Sequence, residues 1–168
     1  MAVVPLRQVK RSVLGKAEGP AQTVTKAADQ SNSTTTAADI TDLTIPIGPT
    51  QIINFHAYLV CSAAAVTTGI QLAVNGPASP TQVELTIVGW TDATTRAVDG
   101  VSALETYQAN TSSAGTTRRV FEIRGRVING TTRGTLAMRF RSEIATSAVT
   151  VHKGSWVQWH RETQQVKA

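Results

Sequence analysis

Histidine, cysteine and acidic side chains carry out most acid–base, nucleophilic and metal chemistry, and their spacing in this chain favours none of these. The three histidines, His56, His152 and His160, stand far apart and form no HxH, HxxxH or HExxH pattern. His152 and His160 could become neighbours across the last two strands, but two ligands make only half a metal site. We therefore expect no metal site and no cofactor.

The acidic residues support the same expectation for catalysis. Those in the middle of the chain fall at expected strand ends and in loops, without the apolar surroundings that raise the pKa of a general acid: Asp39, Asp42, Asp92, Asp99 and Glu105. The sequence has no GxSxG elbow, no P-loop and no glycine-rich dinucleotide motif. We predict no catalytic residues and a protein that is not an enzyme.

Residues 118–143 (RRVFEIRGRVINGTTRGTLAMRFRSE) contain two alternating stretches around Asn129-Gly130. This dipeptide is typical of a tight hairpin turn in which both residues take positive φ. The predicted antiparallel hairpin places Gly125 opposite Gly134 on its apolar face. The paired glycines leave a gap there, which a large side chain from an opposing sheet could fill.

The other face of the predicted hairpin carries five arginines and one carboxylate: Glu122, Arg124, Arg126, Arg133, Arg139 and Arg141. We define the arginine face as Arg124, Arg126, Arg139 and Arg141. Solvation and a protein interface are both compatible with it, and arginine is favoured where planar contacts to carboxylates are made. We expect some of these four arginines to contact carboxylates of another subunit or of a particle surface. Nucleic acid is not the expected partner, because this face of the predicted hairpin has no aromatic residues among its arginines.

The elements that must position these residues are predicted to be β-strands. Besides the two strands of the hairpin, alternating or apolar stretches fall at residues 39–47, 51–62, 69–75, 82–90, 102–108, 148–152 and 155–162. Only 16% of the residues are charged and 5% are aromatic, a composition typical of β-sandwiches and barrels. The sequence predicts an all-β, antiparallel jelly-roll β-sandwich of about eight strands with an extended N-terminal arm.

The strand at 51–62 is predicted to have one apolar face, formed by Ile53, Phe55, Ala57, Leu59 and Cys61. Cys61 is the single cysteine of the chain and cannot form an internal disulfide. Its position on this face predicts a small core residue rather than a reactive thiol. A single cysteine also suits a protein that folds in a reducing cytoplasm.

Residues 91–117 are predicted to form a long surface loop that joins the two halves of the sandwich. Such a loop could carry specificity, and Trp90 and Tyr107 are the candidate contacts for a glycan. An ordinary crossover without a binding role is the alternative.

Residues 1–38 cannot bury a core of their own, so the domain is expected to span 39–168. The arm has short apolar clusters on either side of a basic segment, and we expect it to dock on a neighbouring subunit through Val3, Val4, Leu6, Arg7, Lys10, Arg11, Val13 and Leu14. A disordered tail and a nucleic-acid-binding arm are the alternatives. Five basic residues without aromatics argue against nucleic acid as the partner.

The first residues lack the apolar segment of a signal peptide, and no run of residues approaches the length of a membrane span. We therefore expect a protein that has no membrane partner.

Three segments of the chain resemble a jelly-roll domain found in structural proteins of tailed bacteriophages. They are STTTAADITDLTIPIGPTQIINFHAYLVCSAAAVTTGIQLAVNGP, RGRVINGTTRGTLAMRFRSE and VHKGSWVQWHRE. The resemblance covers about residues 33–162 and is one of order and spacing.

This resemblance implies a virion protein that is made in the bacterial cytoplasm and is often trimeric. The expected function is a homotrimeric capsid decoration (cement or minor capsid) protein, whose partners are the major capsid protein or other virion proteins. A head-, collar- or tail-fibre module that recognises host glycans is the alternative.

Overall fold

The computed structural model describes residues 20–92, 94–108, 112–113 and 115–162, with the backbone alone for 112–113. These residues form β-strands and no helix, which confirms the all-β prediction. The strands are β1 (Gln22–Thr25), β2 (Gln30–Asn32), β3 (Ala38–Ile47), β4 (Ile52–Ala63), β5 (Gly69–Asn75), β6 (Gln82–Trp90), β7 (Arg96–Val101), β8 (Ser112–Ser113), β9 (Arg119–Ile128), β10 (Gly134–Ser142), β11 (Val149–Val151) and β12 (Trp156–Glu162).

Eight of these strands have the strand order of a jelly roll. The small sheet has the order β3-β10-β5-β8, and the large sheet contains the run β4-β9-β6-β7. If the eight strands β3 to β10 are renumbered 1 to 8 along the chain, the small sheet has the order 1-8-3-6. The run in the large sheet then has the order 2-7-4-5. All the pairings are antiparallel. The predicted jelly-roll sandwich is therefore confirmed by the strand order itself.

The remaining four strands extend the large sheet beyond β4. Both β11 and β12 pair with β4, while β2 adds to β11 and β1 adds to β12. Residues 22–25 and 30–32, predicted as part of an arm and linker, are thus strands of the sandwich. Their polar sequence gave no strand signal, because a short edge strand needs no alternating apolar face.

We call residues 22–32 the N-terminal clasp, because they join the large sheet to the edge of β3 in the small sheet. Lys26 is 3% exposed, and its Nζ donates to Gln30 Oε1 at 3.0 Å and to the Thr41 carbonyl oxygen at 3.2 Å. Burial lowers the pKa of Lys26, and the nearby carboxylates of Asp42 and Asp29 oppose that shift. The backbone N–H of Ala27 also donates to Asp42 Oδ2 at 3.2 Å.

The core lies between the two sheets and is formed by the inward positions of their strands. The five residues predicted on the apolar face of β4 are all buried. Burial raises the pKa of the Cys61 thiol, in agreement with a core role. Trp159 is buried, and Trp156 lies on the opposite side of β12.

The prediction that residues 118–143 form a hairpin is wrong. β9 lies between β4 and β6 in the large sheet, whereas β10 lies between β3 and β5 in the small sheet. Phe121 and Met138 are fully buried and face the core from opposite sheets instead of lying side by side. Neither Asn129 nor Gly130 has positive φ, so this dipeptide does not form the predicted turn. Alternation identified the inward residues correctly, but it does not specify which strands pair.

The gap at Gly125 is filled from within the large sheet and not by the opposing one. Phe55 of β4 and Leu85 of β6 flank this glycine in register. A Cβ atom at Gly125 would lie 2.6 Å from the Phe55 ring and 2.5 Å from a Leu85 methyl group.

Two further predictions differ from the structure. Residues 102–108 are not a strand; the strand in this region is β7, which pairs with β6. Between these two strands, Asp92 Oδ1 accepts the backbone N–H groups of Thr94 and Thr95. The last two strands do not pair with each other, because both occupy the same edge of β4.

Candidate binding surface on the large sheet

Strand alternation places a band of polar and aromatic side chains on the outer face of the large sheet. We call this band the outer face, and it holds Asn54, His56 and Tyr58 of β4, Glu84 and Thr86 of β6, Glu122, Arg124 and Arg126 of β9, and Trp156, Gln158 and His160 of β12. The register places His56 between Gln158 and Arg124, and Asn54 between His160 and Arg126. The outer face is therefore built from four adjacent strands.

A furrow of about 460 Å³ crosses the centre of the outer face. Its polar lining comes mainly from Asn54, His56, Glu84, Arg124, Arg126 and His160. Both arginines of the arginine face that belong to β9 therefore border this furrow. Cationic, anionic and neutral polar groups lie together there, as in sites that bind polar ligands.

Glu122 is the central carboxylate beside the furrow. Its Oε2 accepts from Arg124 Nη2 at 2.7 Å and lies 3.1 Å from His56 Nε2. Burial by itself would raise the pKa of Glu122, but the hydrogen bonds from Arg124 and His56 outweigh it, and the pKa is lowered. Arg124 nevertheless keeps 63% of its side chain exposed, so its remaining donors are accessible to a partner.

A second carboxylate, Glu162, contacts two residues that line the furrow, Asn54 and Arg126. Arg126 Nη2 lies 3.5 Å from Glu162 Oε2, and Asn54 Nδ2 donates to the same oxygen at 3.4 Å. These contacts are long and partly exposed, so the Arg126 pair contributes little to stability.

Aromatic side chains border the same region. The rings of Tyr58 and Trp156 stack with a centroid separation of 5.6 Å and an interplanar angle of 4°. His56 meets the edge of Trp156 at 5.2 Å. Alternation along β4 places His56 and Tyr58 on the face opposite its apolar residues, but their contact with Trp156 depends on the pairing of β4 with β12.

The arginine face predicted as one patch is divided between the two sheets. Arg139 lies on the outer side of the small sheet, where Nε contacts Asp39 Oδ1 at 2.6 Å and Nη1 contacts Glu105 Oε2 at 2.5 Å. Arg141 donates to Gln71 Oε1 at 2.7 Å. These two arginines lie on the opposite side of the sandwich from Arg124 and Arg126, because β9 and β10 belong to different sheets.

Trp90 and Tyr107, the candidate glycan contacts, are not brought together. Trp90 ends β6, and its Nε1 donates to the Val120 carbonyl oxygen at 2.8 Å. The guanidinium carbons of Arg96 and Arg119 lie 5.0 and 5.5 Å from the centre of its ring. Tyr107 instead packs beside the small sheet.

The ring of Tyr107 lies under the guanidinium of Arg141, at 4.0 Å from the ring centre. Both candidate aromatic residues therefore already contact arginines of their own chain. The predicted arm contacts Val3, Val4, Leu6, Arg7, Lys10, Arg11, Val13 and Leu14 lie outside the described residues.

Within residues 20–92, 94–108, 112–113 and 115–162, no three histidine, cysteine or acidic residues come together as a group that could bind a metal ion. In the same part of the chain, no helix has the length and apolar character of a membrane span.

No protein-family model matches the chain, and no curated protein matches it. Among solved structures, it is similar to a structure of the infectious bursal disease virus Gt strain, with 13% identity and a TM-score of 0.25. That match covers 97% of this chain and 43% of the other. For a structure of the Gx strain of the same virus, the identity is 11%, the TM-score 0.24 and the coverage 87% and 41%. The chain thus spans less than half the length of these chains, and its fold assignment depends on its own strand order.

Proposed function

We propose that this chain is a structural component of a virus particle, a homotrimeric jelly-roll subunit of the tailed-phage type that decorates the capsid. The observation that carries the proposal is the jelly-roll strand order, with a large sheet that the N-terminal clasp extends. Jelly rolls are common in viral capsid proteins, lectins and cupins. Cupin chemistry would need several convergent histidines, whereas His56 and His152 each contact a carboxylate in a separate part of the large sheet.

The clasp provides the point from which residues 1–19 can reach a partner. β1 begins at Gln22 and is the outermost strand at one end of the large sheet. Nineteen residues can span at most about 65 Å when fully extended. A segment attached at this edge can therefore reach a neighbouring subunit or the major capsid protein without disturbing the sandwich.

Removal of residues 1–19 is the direct test of this attachment. The shortened chain keeps every described strand, so we expect a folded protein that no longer incorporates into particles. A deletion of residues 1–32 would not be a clean test, because it would also remove β1, β2 and Lys26. Normal incorporation of the chain that begins at residue 20 would contradict the attachment role.

Oligomeric state is tested separately by analytical ultracentrifugation of the full chain. We expect three times the chain mass of 17.8 kDa. Antibody labelling of particles in the electron microscope then locates the protein. Hundreds of copies on the head would support decoration, whereas a few copies at one vertex or on the tail would support a fibre or collar component.

We also propose that the outer face contributes a subunit contact through Arg124, whose side chain is more exposed than that of Arg126, the other arginine-face residue on β9. Arg124→Glu should weaken the trimer, because it reverses a charge that a partner carboxylate would meet. Arg133→Glu is the charge-matched control, since Arg133 is exposed, precedes β10 and lies away from the outer face. If the Arg124→Glu trimer were as stable as the natural one, Arg124 would not form a subunit contact.

A glycan-binding module remains the second candidate function. For that function, the furrow is a better candidate site than the 91–117 loop. Polar side chains line the furrow, and one of them, His56, packs against the ring of Trp156, whereas arginines cover the rings of Trp90 and Tyr107. If the protein binds host glycans, glycan-array binding should be lost in Trp156→Ala. Loss in Trp90→Ala alone would instead support the loop.

A further inference from the structure

Three side chains from distant parts of the chain form a hydrogen-bonded relay at one end of the large sheet. The Ser62 hydroxyl lies 2.8 Å from Nε2 of His152. Nδ1 of the same imidazole lies 3.0 Å from Oδ2 of Asp29. None of these contacts belongs to the furrow or to the arginine face.

Strand pairing explains why the three residues meet. β11 pairs with β4 so that Thr150 lies directly opposite Ser62, and His152 follows two residues later on the same side. The clasp brings Asp29 beside them, because the next residue, Gln30, is paired with Val151. The relay therefore depends on the extension that this chain adds to the jelly roll.

The hydrogen bonds define the direction of the relay. The Lys153 N–H donates to Asp29 Oδ1 at 2.7 Å, and this bond, followed by the one from His152, lowers the pKa of Asp29. An ionised carboxylate only accepts hydrogen bonds, so Nδ1 of His152 must carry the proton. In the neutral imidazole, Nε2 then accepts the hydrogen bond of the Ser62 hydroxyl, the arrangement that a general base needs.

The backbone around His152 is also fixed. Ser155 Oγ donates to the His152 carbonyl oxygen at 2.7 Å and accepts the Val60 N–H at 3.0 Å. The His152 side chain is 10% exposed, which limits the water that competes for Nε2. Thr150 lies opposite Ser62, and its hydroxyl is 2.8 Å from the Ser31 hydroxyl.

We propose that Ser62 is a nucleophile activated by His152 and Asp29, and that this site takes carboxylic esters as substrates. Ser62 Oγ attacks the ester carbonyl carbon while its proton moves to His152 Nε2. The bond to the alcohol breaks, and the leaving alkoxide takes that proton. A water molecule, deprotonated by His152, then attacks the Ser62 ester; the bond to Ser62 Oγ breaks, His152 returns the proton to Ser62 Oγ, and the carboxylic acid is released. Asp29 acts as a positioning residue that holds the imidazole in the required tautomer.

Labelling with a fluorophosphonate tests the nucleophile in the full-length protein. We expect one covalent adduct, located at Ser62 by peptide mass spectrometry, and no adduct in Ser62→Ala. The labelling rate should fall at least tenfold in His152→Gln and in Asp29→Asn, while Ser102→Ala should label like the natural protein. Hydrolysis of p-nitrophenyl acetate should fall in parallel.

The folded state of each variant is checked by its thermal unfolding. Asp29 lies at the exposed end of the relay, so Asp29→Asn is the variant expected to fold if His152→Gln does not. The proposal is overturned if the folded natural protein gives no adduct or an adduct on another serine. It is also overturned if Asp29→Asn folds and labels Ser62 at the natural rate, since the relay would then be purely structural.

Discussion

The side-chain amide of Asn129 donates a hydrogen bond of 2.8 Å to the carbonyl oxygen of Gly48. The same amide donates to the Thr132 carbonyl oxygen at 2.7 Å, and the Asn129 backbone N–H donates to Gln51 at 2.9 Å. Asn129 is 1% exposed. One buried side chain thus joins the connection between β9 and β10 to the turn between β3 and β4, and it links the two sheets at that end.

Asn129→Ala should therefore destabilise the sandwich by roughly 2–4 kcal/mol, because two carbonyl oxygens lose their donor in a buried setting. Urea denaturation measures the change in the free energy of unfolding. Asn75→Ala is the matched control, since the Asn75 amide makes only exposed contacts of 3.4 Å with Asp39. An equal loss of stability in the two variants would contradict the role of Asn129.

Gly125→Ala should cost roughly 1–3 kcal/mol, because the added methyl group would overlap Phe55 and Leu85 in the filled core. Gly100→Ala is its control: this glycine also lies in a strand of the large sheet, and a Cβ atom there would meet nothing within 4 Å. We expect Gly100→Ala to have the natural stability or slightly more. Thermal unfolding of both variants distinguishes crowding from a general effect of replacing strand glycines.

Asp92 should make the stability of the protein depend on pH between about 4 and about 2. The backbone N–H groups of Thr94 and Thr95 lower the pKa of Asp92 from 3.8 to about 2. A carboxylate with a lowered folded-state pKa stabilises the protein above its unfolded-state pKa, and this contribution is lost as the pH falls through the folded-state value.

The unfolding temperatures of the natural protein and of Asp92→Asn should therefore differ by a constant amount above pH 5, and converge as the pH falls to about 2. Ser102→Ala, in an exposed loop position, should show no such convergence. A pH-independent difference for Asp92→Asn would contradict the lowered pKa.

Cys61 should not react with Ellman's reagent in the folded protein. The side chain is fully buried, and burial raises the pKa of its thiol, so the reactive thiolate does not form in the folded state. Reaction should require unfolding and accelerate with urea. In Val66→Cys, a residue that is 69% exposed, the second thiol should react at once; rapid reaction of Cys61 in the natural protein would contradict its burial.

Strand positions could be predicted from the sequence because alternation is a local property. The ranges predicted for β5 and β6 agree with the structure residue for residue, and those for β3 and β4 agree to within one residue. The strands of the clasp were not predicted, because β1 and β2 are short and polar. They form by pairing with residues more than 100 positions away.

In the candidate sites, too, the facing of single residues was predictable from the sequence, whereas their contacts were not. Outward positions on β4 and β9 were predictable, but the contact of His56 with Glu122 depends on the register between the two strands. The relay of Ser62 and His152 joins residues 90 positions apart. No local sequence motif predicts such a pair, since each of the two is an ordinary polar residue near the end of a strand.

By itself, the sequence determined the all-β class, most of the strands and the side chains that face the core, because a period of two is specified by neighbouring residues. Only the tertiary structure decided that β9 and β10 lie in opposite sheets, and hence that Arg124 and Arg139 belong to different surfaces. A hairpin and two facing strands bury the same alternating residues. The choice between them depends on contacts that close long loops, such as that of Asn129 with Gly48 and that of Gly125 with Phe55.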